Sequence, residues 1–124
     1  MPKVSTITPC FRMERYMEGF LKYLPEQTIL GDMEIVLDHN EPTDAEVELV
    51  KKYNETHGNI KHIIVDKVDP IGTSMNRCID NSTGEYLCIW NVDDLRTSNS
   101  LEVMANVLDQ RKDVDIVIGK YTIV

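Results

Sequence analysis

The sequence predicts an α/β fold: a mostly parallel sheet with helices on both faces. Three observations carry this expectation. Short β-branched, apolar runs alternate with stretches of helical periodicity, giving the order βαβαβαβαβ over 124 residues. The strand runs are too short and too apolar to leave one face in water, as in a parallel sheet covered on both sides. No repeat, linker or low-complexity tract interrupts the pattern, so residues 1–124 read as one domain.

Each element has its own signal. Lys3–Thr8 alternates and is rich in β-branched residues, which suits a first strand. Met13, Tyr16, Met17, Phe20, Leu21 and Leu24 recur at helical spacing as one apolar face, and Pro25 stops that helix. Glu34–Leu37 is a second strand closing on Asp38-His39-Asn40. Thr43 and Glu46 form a capping box for the next helix, with Val47, Val50 and Tyr53 as its buried side and Gly58 as a left-handed cap. Ile60–Val65 is a third strand, and Gly72 and Thr73 open a helix through Ile79. Glu85–Trp90 is a fourth strand, entered from Gly84. Leu101, Met104, Ala105 and Leu108 mark the last helix, and Asp115–Ile118 a fifth strand.

Composition excludes several classes. The net charge of −8 disfavours nucleic acid, which needs a basic patch, and repels a free diphosphate unless a metal accompanies it. Cys10, Cys78 and Cys88 are odd in number and far apart, which suits reduced, mostly buried thiols rather than a disulfide framework or a zinc site. No apolar run approaches the ~20 residues of a membrane span, and no secretory leader precedes the first strand. A cytoplasmic protein without a transmembrane segment is the expectation.

Ligands of such sheets sit beyond the carboxyl ends of the strands. In chain order these ends are Pro9-Cys10-Phe11, Asp38-His39-Asn40, Asp66-Lys67 and Asn91-Val92-Asp93-Asp94. The last is the most informative. Adjacent carboxylates at a strand end repel one another, and a divalent cation removes that repulsion. A solvated acidic loop opening the next helix is the plainer alternative.

Three blocks, VSTITPCFRMERYMEGFL, QTILGDMEIVLDHNEPTD and GTSMNRCIDNSTGEYLCIWNVDD, resemble in order the nucleotide-binding half of a family 2 glycosyltransferase. The resemblance implies a Rossmann-like GT-A fold and a nucleoside-diphosphate sugar as donor. It also implies Mn²⁺ or Mg²⁺ as cofactor, and inverting transfer to the hydroxyl of a glycan or other acceptor. By position, Pro9 and Phe11 border the base pocket, and Asp38, His39 and Asn40 include the group that reads the nucleobase. Asn76 lies near the donor, Asp93 faces the ribose, and Asp94, with Asp93, holds the metal. The chain departs from the family where two acids often follow the second strand and Asp38-His39-Asn40 stands instead. It departs again at Met75, where many members carry Arg, and at Asn91, where the acidic motif usually begins with Asp. Members normally continue for about as long again, through the acceptor site and the catalytic base, so no base is assigned here.

Plainer roles compete at single positions. His39 suits a capping or surface role as well as a base contact, and His57 and His62 read as structural. Trp90 reads as core packing, and Lys67 and Arg96 as partners of nearby acids. A non-catalytic nucleotide-sugar-binding module is the alternative function. A phospho-receiver-like domain is disfavoured because Pro9-Cys10-Phe11 occupies the strand end where that domain needs acids.

Overall fold

A computed structural model describes residues 1–123. Four strands alternate with four helices: β1 (Val4–Phe11), α1 (Glu14–Tyr23), β2 (Met33–Asn40), α2 (Asp44–Thr56), β3 (Ile60–Val65), α3 (Ile71–Asp80), β4 (Tyr86–Ile89) and α4 (Ser100–Gln110). All pairings are parallel, in the order β3-β2-β1-β4. The chain therefore moves outward from β1 to β3, then returns across the sheet through α3 to place β4 on the other side of β1.

Side-chain alternation along the strands divides the interior in two. Cys10, Ile35, Leu37 and Ile60 pack with Met17 and Phe20 of α1, Val50 of α2 and Leu101 of α4. On the opposite face Ile7 and Val36 meet Cys78 of α3, with Ile63 and Met75 alongside. Helices thus cover both faces, as the apolar strands require.

Local signals act where expected. Thr43 and Glu46 form both bonds of the capping box, and Gly58 takes φ +66°. Pro25 falls just beyond α1, inside a 3-10 turn over Leu24–Glu26. Trp90 is enclosed at 1% exposure, edge-on to Phe20 with ring centroids 5.7 Å apart.

The fifth strand is a correction. Residues 115–118 are irregular, and Ile116 and Ile118 are 78% and 85% exposed. β-propensity expresses the fit of a residue to a pleated, half-buried surface. Among the described residues nothing pairs with this segment, so its apolar pattern has no sheet to join.

The amino ends of β1, β2 and β4 are tied by one carboxylate. Glu34 Oε1 accepts from Ser5 Oγ at 2.7 Å, the Thr83 amide at 2.6 Å and Thr83 Oγ1 at 3.0 Å. Gly84 donates its amide to Ser5 Oγ at 2.7 Å. A Cβ there would lie 2.6 Å from the Ser5 nitrogen and 2.9 Å from the Val4 carbonyl carbon, so only glycine allows this approach. Burial acts to raise the Glu34 pKa, but the bonds from Ser5 and Thr83 outweigh it and hold the carboxyl below its ordinary range.

This depressed value has a signed consequence. The stabilisation is complete above the ordinary value of 4.5 and is lost as pH falls through the lower folded-state value. Glu34→Gln should cost about 1 kcal/mol at neutral pH. In urea titrations the gap from the parent chain should close in acid; a constant gap would assign the loss to packing instead.

Candidate active site

β1 and β4 pair only from Val4↔Tyr86 to Ile7↔Ile89, with one further bond from the Trp90 amide to Ile7 O at 3.2 Å. Beyond it the two chains separate. β1 continues paired with β2 through Pro9↔Asp38, Cys10↔His39 and Phe11↔Asn40. Pro9–Phe11 and Asp38–Asn40 are therefore the zipped ends of neighbouring strands. Pro9, which has no amide hydrogen, lies where β1 has lost its β4 neighbour. The crevice is where strand order reverses, the usual place for a ligand in open parallel sheets.

Opposite β1, residues 91–94 form a turn closed by the Asp94 amide on Asn91 O at 3.0 Å. Trp90 Nε1 donates to Asp94 O at 3.0 Å, and Val92 is buried at 3% exposure. Anchoring Trp90 and Val92 inward turns Asp93 and Asp94 outward, and both are exposed. Among the described residues neither carboxylate has a cationic partner within ion-pair distance. Asp94 Oδ2 accepts only a 3.3 Å bond from Asn91 Nδ2. Two adjacent, accessible, unneutralised oxygen donors suit a hard divalent cation such as Mg²⁺ or Mn²⁺.

The Asp38-His39-Asn40 triplet is split by strand alternation. Asp38 and Asn40 face α3, and His39 faces α2. Asp38, 0% exposed, accepts from Arg77 Nε at 2.8 Å, and Arg77 Nη2 also binds Asp69. Asn40 donates to Ser74 Oγ at 3.1 Å and to Asp38 at 3.3 Å, and accepts from the Asp69 amide at 2.8 Å. His39 is also 0% exposed, with both ring nitrogens engaged: Nε2 on Glu46 at 2.9 Å and Nδ1 on His62 at 3.0 Å. Burial, with the neighbouring His39, pushes His62 down to about 4 despite Glu46, so His62 is neutral at pH 7.

Other positions fall on either side of expectation. Phe11 is half-buried at the crevice, with the Arg12 guanidinium 5.0 Å from its ring centre. Arg12 and Glu41, just after the ends of β1 and β2, take φ +54° and +45°, strained values for non-glycine residues. Asn76 is exposed, on the side of α3 away from Ser74 and Cys78. Arg77 reaches Asp38. The family resemblance concerns position 75, where Met75 stands and packs against the core, and gives no role to Arg77. A basic residue one helical turn beyond Ser74 was the available signal. Lys67 pairs with Asp69 at 3.6 Å as expected, whereas Arg96 donates to Ile89 O at 2.8 Å and Ser100 Oγ at 3.2 Å.

The family model for glycosyl transferase family 2 matches residues 5–123. The chain belongs to glycosyl transferase family 2. It is 32% identical over 104 residues to a cholesterol galactosyltransferase of Borreliella burgdorferi, covering 84% of this chain and 28% of that protein. It is 25% identical over 117 residues to the putative glycosyltransferase EpsE of Bacillus subtilis, covering 94% of this chain and 42% of EpsE. The chain thus spans less than half the length of these relatives. The fold is also that of S. aureus TarS, in complex with UDP-GlcNAc, with TM-score 0.79 and 24% identity over 89% of this chain and 32% of that one. The mannosyltransferase PcManGT of Pyrobaculum calidifontis, in complex with GDP-Man and Mn²⁺, aligns with TM-score 0.73 and 23% identity, covering 89% and 32%. These likenesses place the sheet and its crevice in a GT-A-type scaffold.

The ion pair behind the crevice yields a direct prediction. Arg77→Met leaves Asp38 buried without its cation and should cost about 3 kcal/mol in urea denaturation. Adding Asp38→Asn to that variant should recover part of the loss, because the stranded charge is gone. Independent, additive losses would show that the two side chains are not coupled.

Proposed function

We propose that this chain is the donor half of a glycosyltransferase, binding a nucleoside-diphosphate sugar at the β1/β4 crevice together with a divalent metal. The observation that carries this reading is the outward-turned, unneutralised Asp93–Asp94 pair at the strand-order reversal. In an acidic chain a diphosphate needs a cation at that point. UDP-GlcNAc in TarS, and GDP-Man with Mn²⁺ in PcManGT, support the ligand class.

In this reading each residue has a defined task. Pro9 and Phe11 border the nucleobase, Phe11 offering its ring for stacking. Asp38 and Asn40 shape the pocket wall from the end of β2, held by Arg77, Ser74 and the Asp69 amide. His39 acts from beneath, fixing the same strand end through Glu46 and His62. Asp93 faces the ribose, and Asp94, with Asp93, holds Mn²⁺ or Mg²⁺. The metal, when bound, supplies Lewis-acid neutralisation of charge on the departing diphosphate. Asp94 is suited to carry it because its backbone is pinned to Trp90 in the core. The acceptor is a hydroxyl of a glycan or another molecule, and transfer with inversion is the reaction that fits the family. Among the described residues no helix is long and apolar enough to cross a membrane.

Calorimetry with UDP and GDP tests the reading. Binding should occur with Mn²⁺ and vanish in EDTA, and Asp94→Asn should reproduce the EDTA result without unfolding the chain. A hundredfold ligand excess over Kd should add about 2.7 kcal/mol of stability. Phe11→Ala should weaken nucleotide binding by about 1–3 kcal/mol while leaving the unfolding transition nearly unmoved. Equal affinity in EDTA would remove the metal from the site.

A further inference from the structure

On the α2 side of the sheet lies a buried cluster whose His39–Glu46 contact supports the strand end and whose third member, Cys10, has no task in the proposed donor site. Cys10 and His39 are direct register partners on β1 and β2, and Glu46 reaches them from the first turn of α2. Their exposures are 3%, 0% and 2%. One potential ligand atom from each residue lies within 4.8 Å of the others. We propose that Cys10, His39 and Glu46 form a buried binding site for a zinc-class divalent ion, separate from the Asp93–Asp94 metal.

The chemistry of the donor set supports this. A thiolate, an imidazole and a carboxylate are ligands that Zn²⁺ takes, whereas Mg²⁺ and Mn²⁺ prefer oxygen alone. Metal–ligand bonds of about 2.0–2.3 Å in a tetrahedron place ligand atoms roughly 3.3–3.6 Å apart. The His39–Glu46 contact of 2.9 Å therefore has to open slightly and the sulfur has to move inward, small adjustments for side chains already converged. Binding displaces the thiol proton to solvent, leaving one negative charge on Cys10 and one on Glu46. A divalent ion makes the enclosed cluster neutral, which a buried site requires.

The surroundings are those of a ligating histidine. With His39 Nε2 turned to the metal, its Nδ1–H donates to His62 Nε2, 3.0 Å away. A fixed partner of this kind sets tautomer and ring orientation. Glu46 is held in turn, because its Oε1 accepts the Thr43 amide at 3.0 Å while Oε2 faces His39. The capping box therefore aims the carboxylate as well as ending the helix.

The test uses Co²⁺ alone as a spectroscopic probe on the reduced, metal-stripped chain. One equivalent should give a near-ultraviolet thiolate-to-cobalt charge-transfer band with intense visible bands of tetrahedral cobalt, and Zn²⁺ should bleach both stoichiometrically. Cys10→Ser should lose the charge-transfer band, whereas Cys78→Ser, Cys88→Ser and Asp94→Asn should keep it. If Cys10→Ser does not fold, His62→Gln decides, with cobalt affinity expected to fall about 10–100-fold. Absence of the band under excess Co²⁺, its persistence in Cys10→Ser, or unchanged affinity in His62→Gln would overturn the proposal. None of these results depends on nucleotide binding, so the donor site stands or falls separately.

Discussion

Everything at the candidate site depends on β1 being paired on both sides for half its length and on one side for the rest. Parallel strands need crossover connections, and right-handed crossovers send the chain outward from β1 on one face and back on the other. β4 must then land beside β1, with its amino end fixed by Glu34, Ser5 and Gly84. Once Ile7 has met Ile89 the pairing ends, and the two carboxyl ends part. A crevice is the geometric result of that constraint, and no side chain has to dig it.

What fills the crevice is set by burial on either side of it. Trp90 and Val92 are drawn into the core, and the turn over residues 91–94 leaves Asp93 and Asp94 in solvent. On β2 strand alternation sends Asp38 and Asn40 to one layer and His39 to the other. A single strand end thus supports two polar networks. One ties α3 to the sheet through Arg77, and the other ties α2 to it through Glu46. Both are buried, and both hold the wall of the crevice, so disturbing either should be felt at the ligand.

Much of this was legible in the residues. Helical spacing, the Thr43 capping box, Gly58 and the apolar strand runs gave α1 to α4 and β1 to β4 in order, because each rests on local chemistry. The acidic pair was legible because adjacent carboxylates at a strand end are costly without a purpose. The misreadings have one common cause, which is that tertiary partners decide what local patterns leave open. Residues 115–118 read as a strand but have no described partner to complete a ladder. The apolar run of the second strand stops at Leu37 because polar residues usually end strands, yet pairing with Pro9-Cys10-Phe11 carries the strand through Asp38-His39-Asn40. The Asp38–Arg77 pair joins residues far apart in sequence, and no spacing rule announces it.

The central claim is that the separated ends of β1 and β4 hold a metal and a nucleotide together. Paramagnetic broadening of backbone amide resonances by Mn²⁺, recorded with and without UDP or GDP, tests it most directly. The account predicts broadening centred on Asn91–Asp94 and extending to Pro9–Arg12, sharpened when nucleotide is present, with Gly84 at the opposite end of the sheet unaffected. Broadening centred on the acidic outer face of α2, around Glu48 and Glu55, or spread evenly over the surface, would contradict it.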